Sequence, residues 1–300
     1  MDDQTYQKYR KAGKIAAAAR DLGVEIIREK VSFLEVVQRV EQFIQQQGAG
    51  LAFPVNISVN TLAAHFTPLS TDSLCFKRGD VVKLDVGAHV DGYIADTAVT
   101  VEVGTTNYRE LIRASEQALN QAIQHIHPGS DLGAVGKVIE QTITSYGFKP
   151  IENLTGHSMK EYELHAGMSV PNINAGMTRC APKVGDVLAI EPFATTGAGR
   201  VVSGQGSNIY LCTPSLKSRF IRDDKIKQSF QKLKATFSTL PFAHRWCLNL
   251  FHDSTDSVLK KLSYYGLIRQ YPQLVEAKKG IVSQKEHTVI VTENGCTVIT

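Results

Sequence analysis

The sequence predicts a mixed α/β (α+β) fold in which helices and β-hairpins alternate along the chain. Apolar residues at helical spacing predict two amphipathic helices within the first 50 residues, which end at Gly48 to Gly50. Between 81 and 103, short β-branched runs on either side of Asp91-Gly92 predict a β-hairpin with a tight turn. The first part of the chain is therefore expected to contain a helix pair followed by a strand pair.

The same order of helices and strands recurs later in the chain. Helical patterns cover 106–127 and 131–146. A short apolar strand is predicted over 187–190, and two strands at 288–292 and 296–300 predict a closing hairpin. Helices and hairpins thus alternate twice.

The composition favours an enzyme-sized protein that stays inside the cell. The chain has 300 residues, 43% of them hydrophobic, which suffices for a large core and a cleft. The first twenty residues carry charges throughout, so we expect neither a signal peptide nor a membrane span. The cysteines are scattered, without a C-x-x-C pair, so a reducing cytoplasm is expected rather than a disulfide framework or zinc knuckle.

Positive charge is concentrated in one segment. Residues 211–280 contain 13 Lys and Arg against 5 Asp and Glu, whereas the rest of the chain has a net negative charge. We interpret this segment as an inserted basic helical subdomain, with 1–210 and 281–300 as the catalytic domain. Its charges form a solvated face or a patch that contacts ribosomal RNA, and both interpretations stay open. Three helical stretches are predicted in it, at 223–237, 241–250 and 255–262.

Two aspartates interrupt the apolar arms of the first predicted hairpin. Asp85 and Asp96 are equally far from the midpoint between Val90 and Asp91, so a tight register would make them cross-strand partners. Opposed carboxylates repel each other unless a cation lies between them. Alternatively, one aspartate faces water, or a bulge offsets the register.

Further potential ligands lie in similar apolar surroundings. Glu191 ends the strand over 187–190, Glu286 begins the last hairpin, and His157 follows Gly156. With the two aspartates these residues give four carboxylates and one imidazole, a charge that two divalent ions would balance. Such oxygen-rich ligands suit Mn, Fe or Co, and Zn would also bind. Two ions that hold a bridging hydroxide would support hydrolysis.

Four segments together resemble the type II methionine aminopeptidases, and the resemblance covers nearly the whole chain. It implies a pita-bread fold of two related halves around a cleft. It also implies removal of the initiator methionine from nascent proteins, with a preference for a small uncharged second residue. The segments are LDVGAHVDGYIADTAVTV, GHSMKEYELHAG, VGDVLAIEPF and QKEHTVIV.

The resemblance assigns a role to each of the five potential ligands. Asp85 would chelate one metal ion, Asp96 and Glu286 would bridge both ions, and His157 and Glu191 would complete the first site. Glu191 is also the expected general base, because a carboxylate beside an activated water can accept its proton.

Other residues match the substrate-binding positions of the family. His65 and His165 correspond to two histidines that contact the scissile peptide. The segment containing Phe53, Pro54, Asn56 and Ile57 corresponds to the methionine pocket, where apolar walls suit a flexible thioether.

The long gap between Glu191 and Glu286 favours the type II form, and the lack of a charged N-terminal extension favours its archaeal version. We expect a cytoplasmic monomer with no membrane or DNA partner. Two alternatives stay open at this point. One is a prolidase or X-Pro aminopeptidase with the same ligands, and the other is a binding module on the same fold. Arg179, Lys183 and Arg200 are expected to be surface charges.

Overall fold

A computed structural model describes residues 1–178, 180–214, 221 and 223–300. Arg179 lies outside the described residues, as do Lys217, Arg219 and Arg222 of the basic segment, whereas Lys183 and Arg200 are exposed as expected. The described helices are α1 (Asp3–Ile26), α2 (Phe33–Gln46), α3 (Arg109–Gln124), α4 (Leu132–Ser145), α5 (Asp224–Phe237), α6 (His244–Phe251) and α7 (Thr255–Tyr264). Among these residues, no helix combines the length and the apolarity that crossing a membrane requires.

Among the described residues the strands pair in four small sheets, all pairings are antiparallel, and most of them join strands that are not consecutive along the chain. In chain order they are β1 (Gly50–Leu51), β2 (Asn56–Val59), β3 (Leu62–Ala64), β4 (Val81–Val90), β5 (Tyr93–Glu102), β6 (Lys149–Pro150), β7 (Thr155–Met159), β8 (Ser169–Pro171), β9 (Val187–Ile190), β10 (Phe193–Thr195), β11 (Val201–Cys212), β12 (Phe242–Ala243), β13 (Ile268–Glu276), β14 (Val282–Gln284), β15 (His287–Thr292) and β16 (Gly295–Val298).

The two predicted N-terminal helices are present and begin at side-chain caps. The Asp2 carboxylate accepts a hydrogen bond from the backbone N–H of Thr5, and the Ser32 hydroxyl accepts one from Glu35. Small alanines on the buried face of α1 allow it to pack closely on β4 and β5. This packing forms the core beneath the first half of the fold.

The hairpin of β4 and β5 has a register that differs from the expected one. Asp85 lies opposite Ala98, and Asp96 lies opposite Gly87, so the prediction that the two aspartates face each other was wrong. The turn consists of Asp91-Gly92, with φ of 51° and 86°, which moves the midpoint of the hairpin one position along the chain. The two aspartates are instead diagonal neighbours on one face of the sheet.

The basic segment contains the three predicted helices and also two strands, β12 and β13. Helices α5, α6 and α7 enclose a core of their own, which includes Phe230, Leu233 and Leu262. β13 was not predicted, and it pairs along β11 from Cys212 to Val201. The division of the chain into a catalytic domain and an inserted subdomain stays a prediction.

A buried carboxylate organises the loops at the end of β13. Glu276 is 1% exposed and accepts hydrogen bonds from four backbone N–H groups. Burial opposes its ionisation, but these donors outweigh burial, and the pKa of Glu276 lies below its usual value. The loop that leads into β14 is thereby fixed. The donors are Ala198, Gly199, Lys278 and Gly280.

We predict that Glu276→Gln lowers the free energy of unfolding by about 1–3 kcal/mol at neutral pH, because a neutral amide satisfies these donors poorly. A carboxylate with a depressed folded-state pKa stabilises the fold above its unfolded pKa of about 4.3. This contribution is lost as the pH falls through the folded-state pKa, so the difference between wild type and variant should shrink below about pH 4. Urea denaturation across the pH range measures it.

The matched control is Glu152→Gln, which removes an exposed ion pair with Arg200. This change should alter the free energy of unfolding by no more than about 0.5 kcal/mol. A Glu276→Gln effect that does not vary with pH would contradict the assignment.

Candidate metal centre

Strand register brings acidic side chains from both ends of the chain into one row. Asp85 of β4 lies opposite Ala98 of β5, and Ala98 forms an antiparallel bridge with Glu286 on its other side. Asp96 is two residues from Ala98 and therefore points to the same face. Asn56 of β2 extends the row beyond Asp85.

The sheet that contains β7 and β9 supplies two further side chains. His157 of β7 lies opposite Ala189 of β9. Glu191 follows two residues after Ala189, so its side chain points to the same face as His157. The His157 Nε2 atom is 3.7 Å from Glu191 Oε1 and 3.7 Å from Asp96 Oδ2. The hairpin of β4 and β5 and the sheet that contains β7 and β9 thus meet at these side chains.

The geometry suits a metal ion. One potential ligand atom from each of Asp96, His157 and Glu286 lies within 4.8 Å of the others, and all three residues are buried. Glu191 approaches His157, and Asp85 is the diagonal cross-strand neighbour of Asp96. All five residues that the sequence suggested as ligands therefore line one cavity.

Burial strongly perturbs these groups. It raises the pKa of Asp96, Glu191 and Glu286 well above the usual range, and the neighbouring carboxylates raise each of these pKa values further. Burial also raises the pKa of Asp85 to about 7. By contrast, burial lowers the pKa of His157 to about 3, which leaves a neutral imidazole able to act as a ligand.

The buried oxygens show that a cation fits this donor set. Within the described part of the chain, Asp85 Oδ1 and Asp96 Oδ1 are buried and accept no hydrogen bond. Buried carboxylate oxygens are costly unless a donor or a metal compensates them. Oxygen ligands with one imidazole are a set that divalent first-row ions accept.

The sequence analysis missed Gln284, which lies between two of the acids. Its Nε2 atom donates hydrogen bonds to Glu191 Oε2 at 3.4 Å and to Glu286 Oε2 at 3.3 Å. The backbone of Gln284 is held by Thr100, which donates to its carbonyl and accepts from its N–H. Only its place two residues before Glu286 could have suggested this role.

The two predicted non-ligand histidines lie in the cavity wall. The ring centroids of His165 and His157 are 4.4 Å apart, and those of His65 and Tyr271 are 5.1 Å apart. His65 has a φ of 63°, an unusual backbone conformation outside glycine. Burial lowers the pKa of His65 to about 4. His165 is more exposed, and partial desolvation in the cavity together with the charge of Arg269 lowers its pKa, so both rings are neutral at neutral pH.

The cavity wall beside the acidic cluster is largely apolar. Of the residues that the sequence suggested for a methionine pocket, Phe53 and Asn56 line it. Pro54 and Ile57 are buried but do not line it, and Ile57 points to the face of β2 opposite to that of Asn56. The other lining residues belong to distant segments and were not predicted. They are Ala64, Leu164, Ile209, Pro241 and Tyr271.

A second cavity adjoins the first on the side of the histidines. It shares His65, His157, His165 and Glu191 with the first cavity and extends between residues 153–155 and 167–169. Glu191 and His157 of the cluster therefore border both cavities.

A model of metallopeptidase family M24 matches residues 7–293 of the chain. The chain belongs to metallopeptidase family M24. It is 46% identical over 300 residues to the methionine aminopeptidase of Methanocaldococcus jannaschii, with 100% of both chains covered. It is 44% identical to that of Archaeoglobus fulgidus, again with 100% of both covered. The crystal structure of methionine aminopeptidase from Thermotoga maritima has a TM-score of 0.73 at 26% identity, covering 100% of this chain and 98% of that one.

Within family M24, the predicted resemblance to archaeal methionine aminopeptidases is confirmed. The pita-bread fold and the class of metal-dependent aminopeptidase are confirmed as well. The roles of single residues, the number of ions and their identity remain proposals.

We predict that divalent ions stabilise the protein more as the pH rises. A carboxyl group whose pKa is raised by folding stays protonated while the unfolded chain ionises. The metal-free protein should therefore lose stability as the pH rises from about 4. This loss should continue toward the folded-state values, which reach about 7 for Asp85. Thermal unfolding with a chelator or with manganese, at acidic and alkaline pH, measures both effects.

A site variant and a surface variant provide the controls. Asp96→Asn should lose most of the stabilisation by manganese, which for wild type is about 2.7 kcal/mol at 100 times Kd. Glu110→Gln, at an exposed residue of α3, should retain it. Equal stabilisation of wild type and Asp96→Asn would contradict the metal assignment.

Proposed function

We propose that this protein removes the initiator methionine from newly made proteins, as a monomer in the cytoplasm. The observation that supports the proposal best is a partly apolar cavity that ends on a buried cluster of four carboxylates and one imidazole. Full-length similarity to archaeal methionine aminopeptidases agrees with it.

Two divalent ions, of Co, Mn, Fe or Zn, would be held by Asp85, Asp96, His157, Glu191 and Glu286. When bound, they would supply an activated water and polarise the scissile carbonyl. The charge of the site supports two ions, because two divalent cations balance the four negative charges of the carboxylates. The buried oxygens of Asp85 and Asp96 are the atoms most in need of this compensation.

Glu191 is the proposed general base. Its pKa is raised by burial and by Asp85, which gives its carboxylate a higher affinity for a proton than an exposed glutamate has. Gln284 donates to Glu191 Oε2 and so orients the carboxylate, while Oε1 faces His157. Glu191 can accordingly receive the proton of the attacking water and later deliver it to the leaving amine.

His65 and His165 would bind the scissile peptide. Both rings lie where the two cavities join, and both are neutral, so each offers one donor and one acceptor to a peptide group. These hydrogen bonds would orient the carbonyl and the leaving nitrogen.

The methionine side chain would occupy the apolar part of the first cavity. Phe53, Ile209, Pro241 and Tyr271 form this part, and a flexible thioether packs well against aromatic rings. The second cavity would receive the next residues of the substrate, and the preference for a small second residue would arise there.

We predict that the purified protein releases methionine from Met-Gly and Met-Ala peptides and leaves Xaa-Pro peptides intact. Glu191→Gln should lower kcat by about 10²–10⁴-fold, because an amide cannot accept the proton. Amino-acid release from synthetic peptides in the presence of each candidate metal measures both. The exposed Glu163→Gln is the matched control and should retain full activity.

Cleavage of Xaa-Pro peptides without methionine release would instead indicate a prolidase or X-Pro aminopeptidase. Binding of peptides without any cleavage would indicate a binding module on the same fold. An Asp96→Asn or Glu286→Gln variant with full activity would exclude the metal mechanism.

A contact with ribosomal RNA is proposed for the exposed surface of α5. Ile226 and Phe230 point inward, and the lysines of this helix flank that buried stripe on its two sides, three of them exposed and Lys227 partly exposed. Clustered lysines attract the phosphates of RNA. This surface would keep the enzyme close to emerging polypeptides. The lysines are Lys225, Lys227, Lys232 and Lys234.

We predict that reversing the charge of these four lysines to glutamate abolishes co-sedimentation with ribosomes at low salt, because the phosphate attraction becomes repulsion. Hydrolysis of short peptides should not change. Unchanged co-sedimentation would contradict the proposed contact.

A further inference from the structure

A buried ion pair connects α2 to the basic segment. Glu41 of α2 and Arg245 of α6 are 6% and 8% exposed, and an Arg245 Nη2 contact to Glu41 Oε1 joins them. The indole of Trp246 donates to Glu41 Oε2 at 2.9 Å. Such a pair is costly to desolvate, and its presence is weak evidence for a role in stability alone.

The same pair holds the backbone of Val55. Glu41 Oε1 accepts a hydrogen bond from the Val55 N–H at 3.2 Å. Arg245 Nη1 donates to Thr67 Oγ1 at 2.7 Å, and that hydroxyl donates to the Val55 carbonyl at 2.8 Å. Both polar backbone groups of Val55 are thus fixed by this network. Asn56, which follows Val55, and Phe53, two residues before it, line the first cavity.

Another part of the cavity wall is attached to the other end of the network. Pro241 lies four residues before Arg245 and lines the cavity. Between them, Phe242–Ala243 pairs with Ile209–Tyr210 of β11, and Ile209 also lines the cavity. A displacement of Arg245 would therefore shift both parts of the cavity wall, the one next to Val55 and the one that contains Pro241 and Ile209.

We propose that Glu41 and Arg245 are positioning residues that set the separation of these two parts of the wall of the methionine pocket and thereby the selectivity of the pocket. This inference rests on the proposed function. Neither side chain lines the first cavity, so they act through Val55 on one side and through Pro241 and Ile209 on the other.

The test compares selectivity with stability. A purely structural role lowers the folded fraction, which reduces the rates for all substrates by one factor. A positioning role changes the ratio of kcat/KM for Met-Ala-Ser to that for Leu-Ala-Ser. Arg245→Met should lower this ratio by about tenfold, mainly by raising KM for the methionine peptide, because a misfit of one methylene has that effect.

Two further variants keep the result interpretable if Arg245→Met folds poorly. Glu41→Leu combined with Arg245→Met leaves no buried charge unpaired and should fold, yet its ratio should still fall. Arg245→Lys retains the charge but cannot bind Glu41 and Thr67 in the same bidentate manner. Its ratio should therefore lie between those of wild type and Arg245→Met. Asp256→Asn is the matched control, since it removes the negative charge from the 2.6 Å contact with His244, the residue before Arg245, without touching the network.

The inference is overturned if the double variant and Arg245→Lys keep the wild-type ratio while wild type releases methionine. It is also overturned if Asp256→Asn lowers the ratio as much as they do. Failure of wild type to release methionine would instead refute the proposed function.

Discussion

The burial of four carboxyl groups around one imidazole is the constraint on which this structure depends. Each ionised acid would cost several kcal/mol in a dry interior if it had no partner. Protons or divalent cations must therefore occupy the site, and which of them does so depends on pH. The raised pKa values of Asp96, Glu191 and Glu286 express the same competition. Catalysis uses this instability, because a carboxylate that is poorly solvated binds a metal or a proton strongly.

The fold places these acids by joining its two halves at one point. The bridge between Ala98 and Glu286 connects the first hairpin to the last strands, so the carboxylates of residues 85 and 286 become neighbours. No single segment contains the site. Packing of these distant segments must precede formation of the complete acidic cluster, and Gln284 then fixes the orientation of two of its acids.

Local chemistry made part of this arrangement predictable. Asp91-Gly92 indicated the hairpin, and acids within apolar runs indicated a buried charged site. Asp85 was predicted to lie opposite Asp96 but lies opposite Ala98, two residues further along β5. Sequence alone did not show that both turn residues lie outside the strands. β13 was missed because pairing with β11 overrides a segment that reads as basic and helical. Pro241 enters the cavity through contacts between distant segments, which spacing does not reveal.

The basic segment separates its charges by burial. Its α5 lysines are exposed or partly exposed on the flanks of the helix, whereas Arg245 is buried and bound to Glu41. Exposed charges act over about 10 Å and are screened by salt, whereas a buried pair acts on the groups it touches. One segment can therefore contain a partner-binding surface on α5 and, independently, a buried residue, Arg245, that positions the wall of the pocket. Salt would weaken the outer interaction while leaving the geometry of the cavity intact.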